Sequence, residues 1–155
     1  MPLEIIIGNH QEIITIPENW LTALEDVAQQ AATMALTHAF GNDSPLACLA
    51  TLEVALVDDA TSDRVHRDFM DIEGPTDVIT FHHGEIVIGV EVALRQAEEF
   101  GEPLPREILR YLVHGLLHLA GHEDEDPAER AAMESSQESI VSALWTEDLW
   151  RRMGE

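Results

Sequence analysis

A mixed α/β layer domain is the fold class that this sequence predicts, and three observations carry it. Short β-prone runs alternate with stretches whose apolar residues recur three and four apart, the pattern of strands interleaved with helices. Hydrophobic residues make up 45% of the chain, so the signature of a disordered polymer is missing despite a net charge of −22. The length of 155 residues fits one domain, 1–155, able to bury about 70% of its unfolded surface. There is no internal repeat and no low-complexity linker.

The elements follow in order. Leu3 to Ile7 reads as a short apolar strand closed by Gly8-Asn9. Pro17 to about Phe40 reads as a helix: Pro17 suits a first-turn position, Glu18 complements the N-terminal dipole, and Gly41 is a stop signal. Trp20, Leu24, Val27, Ala31, Met34 and Ala35 supply its core-facing stripe. Leu49 to Val57 alternates as a half-buried strand, with Leu52, Val54 and Leu56 on one side and Ala55 and Val57 on the other. Thr61 to Phe69 suits a short helix. Asp77 to Phe81 and Glu85 to Ile88 read as neighbouring strands joined by His82-His83-Gly84, a solvated turn. Val90 to Phe100 is a helix ended by Gly101, and Pro105 opens another. A last helix is expected from Asp126-Pro127-Ala128 toward Trp150, with Trp145 and Trp150 as core or edge packing.

Composition excludes several function classes. Thirty acids face eight basic residues, all arginine, and the first arginine is Arg64. General DNA or RNA binders hold phosphates with basic patches, and anionic membranes repel acidic proteins. No apolar run approaches the roughly 20 residues of a membrane helix. The N-terminus lacks a signal-peptide pattern, and the single cysteine, Cys48, excludes an internal disulfide framework. A soluble protein of the cytoplasm is the expectation.

The chemistry concentrates between Arg106 and Asp126. Ile108, Leu109, Leu112, Val113, Leu116, Leu117, Leu119 and Ala120 leave almost no polar face, which predicts a central, buried helix. His114 and His118 interrupt it four residues apart, and residues at that spacing share one helix face, so both imidazoles can meet a single cation. Gly121 offers a turn, and His122, Glu123 and Asp124 follow at once as potential third ligands. Three protein ligands and an open fourth position make a catalytic zinc site, with nickel, cobalt or iron less selectively suited. Gly115 stands where an H-E-x-x-H peptidase helix carries its general-base glutamate, which disfavours that mechanism. A glycine inside a helix costs about 1 kcal/mol relative to alanine, so a close neighbour is expected there.

These residues carry a family resemblance. His114-Gly115-Leu116-Leu117-His118-Leu119-Ala120-Gly121 resembles the H-G-x-L-H-L-x-G-Y-D-H signature of the YbeY family, metal-dependent endoribonucleases of bacterial rRNA maturation. Pro75-Thr76-Asp77-Val78-Ile79-Thr80-Phe81 is similar to the family's P-T-D-V-L-S-F strand, and Gly84-Glu85-Ile86-Val87-Ile88 to its G-D-I strand. Met133 and Glu138 resemble the spaced Met and Glu of its last helix, so the match spans roughly residues 50–145. The resemblance implies an α+β fold with a small mixed sheet packed by helices. It also implies one zinc per chain and a hydrolase that cleaves RNA phosphodiesters, single-stranded rRNA precursor and ribosomal components being its partners.

Two departures matter. The family's third-ligand histidine falls on Asp124, and His122 takes the family's tyrosine position, so the motif's spacing favours Asp124 over His122. The family arginine before the P-T-D-V strand falls on Met70, with Arg64 and Arg67 nearby as substitutes. The leading expectation is therefore an endonuclease of rRNA processing and ribosome quality control, with zinc on His114, His118 and Asp124 activating water. Asp77 and Glu85 are proton-transfer candidates through their family motifs alone. The competing readings are a metal-stabilised, ribosome-associated binding module with weak or no catalysis, and a hydrolase of a non-nucleic substrate. Local RNA contact would fall to the metal and to Arg64, Arg67, Arg95, Arg106 and Arg110, in a segment less acidic than its flanks.

Overall fold

The computed structural model describes residues 3–39 and 43–153 and shows an α+β fold around a small mixed sheet. The elements are β1 (Glu4–Asn9), α1 (Glu18–Thr37), α2 (Pro45–Cys48), β2 (Thr51–Val57), α3 (Asp59–Met70), β3 (Val78–Phe81), β4 (Glu85–Gly89), α4 (Val90–Phe100), α5 (Leu104–Leu119), α6 (Pro127–Leu144) and α7 (Glu147–Met153). Strand order is β1-β2-β4-β3; β1, β2 and β4 run parallel and β3 pairs antiparallel to β4. The register sets Val54 beside Ile86 and Ile79 beside Val87.

Strand alternation sorts residues between two cores. Leu52, Val54, Leu56, Ile86 and Ile88 pack with α1, α5 and α6 in the main core, while Val57, Ile79 and Val87 join Ala55, Val65 and Phe81 in a smaller cluster beneath α3. Helix α5 runs through the middle of the main core, where Leu109, Leu112, Val113, Leu116, Leu117 and Leu119 are almost wholly buried. Each such leucine or valine contributes about 1.5–3 kcal/mol by leaving water. The alanine-rich face of α1, including Ala28, Ala31 and Ala35, gives the core a thin wall on one side.

Caps and turns are local. Asp58 and Asp126 accept hydrogen bonds from the Thr61 and Glu129 amides, both at 2.8 Å, and so open α3 and α6. Helix α1 ends at Thr37 with His38 as its C-cap, short of the expected end near Phe40; Phe40 and the Gly41 stop lie outside the described residues. The expected single last helix is two: Thr146 Oγ1 accepts the Leu149 amide at 3.2 Å and starts α7. The break brings Trp145 and Trp150 edge to face, with ring centroids 5.9 Å apart. Among the described residues, no helix is long and apolar enough to cross a membrane.

Candidate metal centre

The site begins with a close approach of helix to sheet. A Cβ on Gly115 would lie 2.8 Å from Ile86 Cδ1 and 3.0 Å from its Cγ2, so only glycine lets α5 settle this deeply on β4. His114 and His118 flank that contact on the helix face turned toward solvent, with 24% and 22% of their side chains exposed. Their rings meet edge to face at a centroid distance of 4.7 Å. Gly121, at φ 101°, then reverses the chain in a backbone region that glycine alone enters cheaply. The reversal carries Asp124 back over the histidines: Oδ2 lies 4.0 Å from His114 Nε2 and 3.5 Å from His118 Nε2.

One ligand atom from each of His114, His118 and Asp124 lies within 4.8 Å of the others, and the cluster can hold a metal ion. Donors sharing a tetrahedral cation at 2.0–2.2 Å stand about 3.4 Å apart, close to the Asp124–His118 separation. The donor chemistry, two imidazoles and a carboxylate, fits a transition metal. Both rings are also oriented from behind. His114 Nδ1 lies 2.8 Å from Gln137 Oε1, and His118 Nδ1 donates to the His122 carbonyl at 3.0 Å. With Nδ1 occupied on each ring, Nε2 faces the cluster. Burial, reinforced by neighbouring His114, lowers the His118 pKa, while Asp124 pulls it the other way.

His122 is buried and points elsewhere: its Nε2 lies 2.8 Å from the His38 carbonyl at the end of α1. The ring anchors the turn, and its backbone orients His118. Two cavities meet at His114. One, of about 450 Å³, holds the cluster and is walled by His66, Met70, Asp77, His82 and Glu123. The other, about 540 Å³, runs past Thr76 and Asp77 to Gln96, Arg110, Tyr111 and Glu134.

Comparison with known proteins bears on this geometry. The family model described as Endoribonuclease YbeY matches residues 6–145. The chain belongs to the YbeY family. It is 32% identical to Endoribonuclease YbeY of Moorella thermoacetica, the alignment covering 92% of this chain and 97% of that one. To the Symbiobacterium thermophilum protein of the same name it is 30% identical, with the same coverages. The solution structure of TM1509 from Thermotoga maritima superposes with a TM-score of 0.63 at 25% identity, covering 96% of this chain and 91% of that one.

In this YbeY-family chain the remaining sequence candidates separate cleanly. Asp77 lines both cavities, its Oδ1 accepting the Val78 amide at 2.7 Å. Glu85 is on the other side of the sheet, beside Ile6 and His10, and pairs with His83 at 3.1 Å; it is remote from the cluster cavity. His82 lines the cluster cavity while His83 turns away. Neither Arg64 nor Arg67 lines the two cavities; α3 presents His66 and, one turn on, Met70. Of the central arginines only Arg110 reaches the cavities, and Glu102, Glu107 and Glu138 already bind it. Arg67, Arg95 and Arg106 pair with Asp63, Asp59 and Glu102. Sequence reasoning missed Gln137 and His66. The signal for Gln137 was a polar residue on the stripe Met133, Ile140, Val141 and Leu144, which is otherwise apolar and buried. His66 offered no such signal.

Proposed function

We propose that this chain is a metal-dependent, single-strand-specific endoribonuclease acting in rRNA maturation and ribosome quality control, with zinc held by His114, His118 and Asp124. Its place of work is the cytoplasm, among ribosomal components. The supporting observation is the convergence of two back-bonded imidazoles and a carboxylate at the junction of two cavities, in a chain whose family relatives are named endoribonucleases.

A bound zinc supplies Lewis acidity, which acidifies water and polarises a phosphoryl oxygen. The protein does the rest. Hydrogen bonds donated by Nδ1–H of His114 and His118 hold each Nε2 as a lone-pair donor, and Asp124 adds a negative charge that makes the site a milder acid than three imidazoles would. In this reading Asp77, which lines both cavities, accepts the proton. Glu123, Glu134 and Asp77 line these cavities while Arg110 is neutralised by its carboxylates, so the protein alone attracts RNA phosphates weakly. A ribosomal partner that supplies positive charge fits this deficit.

The test compares wild type, His114→Ala and Asp124→Ala on labelled single-stranded and duplex RNA, alongside elemental analysis. Metal-dependent cleavage of the single strand, lost in both variants, is the expected result. Cleavage that persists in both belongs to a contaminating nuclease and overturns the reading.

A further inference from the structure

Behind His114 runs a chain of hydrogen bonds whose polarity can be worked out from one end. Arg110, donors only, gives its Nε hydrogen to Glu138 Oε2 at 2.8 Å and its NH2 group to Oε1 at 3.0 Å. Gln137 Nε2 lies 3.0 Å from the same Glu138 Oε2. An ionised carboxylate only accepts, so the Gln137 amide must turn its NH2 group toward Glu138. Burial would raise the Glu138 pKa, but hydrogen bonds from Arg110 and Gln137 prevail and keep it ionised. The amide oxygen of Gln137 is then left facing His114 Nδ1 at 2.8 Å, and an amide oxygen also only accepts. The His114 hydrogen therefore sits on Nδ1. A neutral imidazole has one N–H, so Nε2 presents its lone pair to the side where His118 and Asp124 converge.

We propose that Gln137 is a positioning residue that locks His114 in its Nδ1–H tautomer and thereby sets the affinity of the site for its metal, with Glu138 and Arg110 fixing the direction of the Gln137 amide. The inference deepens the metal-site reading above and rests on it. Gln137 is 9% exposed, so bulk water does not substitute readily for its oxygen. Arg110 is itself gripped by Glu102 and Glu107, which ties the relay to the start of α5. His118 has no comparable dependence, because a backbone carbonyl, which no side-chain substitution removes, orients it.

The experiment uses the full chain with Gln137→Met, which keeps size and removes both polar ends, and Gln137→Glu, which keeps an acceptor for the Nδ1 hydrogen. Imidazole 15N–1H correlation spectra of the metal-stripped protein read the His114 tautomer, and competition with a chromophoric chelator reads zinc affinity. In wild type His114 is expected as Nδ1–H. Gln137→Met should shift it toward Nε2–H and weaken zinc binding by about 10–100-fold, the usual cost of losing such a partner. Gln137→Glu should restore the Nδ1–H tautomer and recover part of the affinity lost in Gln137→Met, its second oxygen meeting Glu138 Oε2 without a hydrogen between them. Glu138→Ala, which frees the amide to flip, should weaken zinc binding less than Gln137→Met, and it carries the test where Gln137→Met does not fold. Stoichiometric zinc on wild type with unchanged tautomer and affinity in these variants overturns the positioning role and leaves the metal site standing. No zinc on the wild type overturns the site, and this inference with it.

Discussion

The two walls of the cluster cavity are built differently. One wall is α5 and the turn after it, where Leu116, Leu117 and Leu119 are fully buried and each histidine is hydrogen-bonded from behind. The other wall is the end of α3 and the β3 strand with its turn, where Met70 is 54% exposed. Substitutions on the first wall disturb the fold or the metal cluster. Substitutions at the exposed end of the second, such as Met70, change mainly what the cavity offers its substrate. Both walls carry a departure from the resembled motif: Asp124 on the first offers a carboxylate oxygen to the cluster, whereas Met70 on the second presents an apolar side chain.

The sharpest break comes from removing a ring. His118→Ala should take bound metal from stoichiometric to none by elemental analysis, with RNA cleavage falling in parallel. His122→Ala tests the same wall one step back. It removes the bond to the His38 carbonyl but keeps the backbone carbonyl that orients His118, so unfolding in urea should show a loss of about 1–3 kcal/mol while metal content is retained. Loss of metal in His122→Ala together with retention in Asp124→Ala would reverse the ligand assignment. Gly115→Ala sets two effects against each other. Better helix propensity gains about 1 kcal/mol, and crowding against Ile86 in a filled core costs about 1–3 kcal/mol. A net destabilisation of about 1 kcal/mol is expected from the urea midpoint. The smallest stability change, within about 0.5 kcal/mol, belongs to Met70→Arg on the exposed wall. Its effect should appear in RNA binding instead: tighter at low salt, with the log–log salt slope steeper by about 0.7 for one added phosphate contact.

Much of this molecule is legible in local patterns. The stripes of α1 and α5, the alternation of β2 and the neighbouring β3 and β4 follow from side-chain periods of 3.6 and 2. The expected single last helix breaks at Trp145-Thr146 because a threonine cap competes with helix continuation there, and the one-turn α2, capped by Ser44, has no counterpart among the expected elements. Glu85 looked equivalent to Asp77, yet the two line opposite sides of the sheet, since strand register decides which side chains meet the helices. The central arginines looked available, yet Arg67 and Arg106 pair with carboxylates one helical turn away, and Arg95 and Arg110 are taken up by Asp59 and Glu138 across 36 and 28 residues.

Determined by the sequence alone are the helix, the two histidines one turn apart on it, and the glycine turn that returns Asp124, because those depend on helical spacing and a positive φ within a few residues. Tertiary structure decided which nitrogen of His114 faces the cluster and that His122 does not, through Gln137, 23 residues on, and the His38 carbonyl, 84 residues back. The direction of a hydrogen bond depends on a partner that only folding brings within 3 Å, and no local pattern records it.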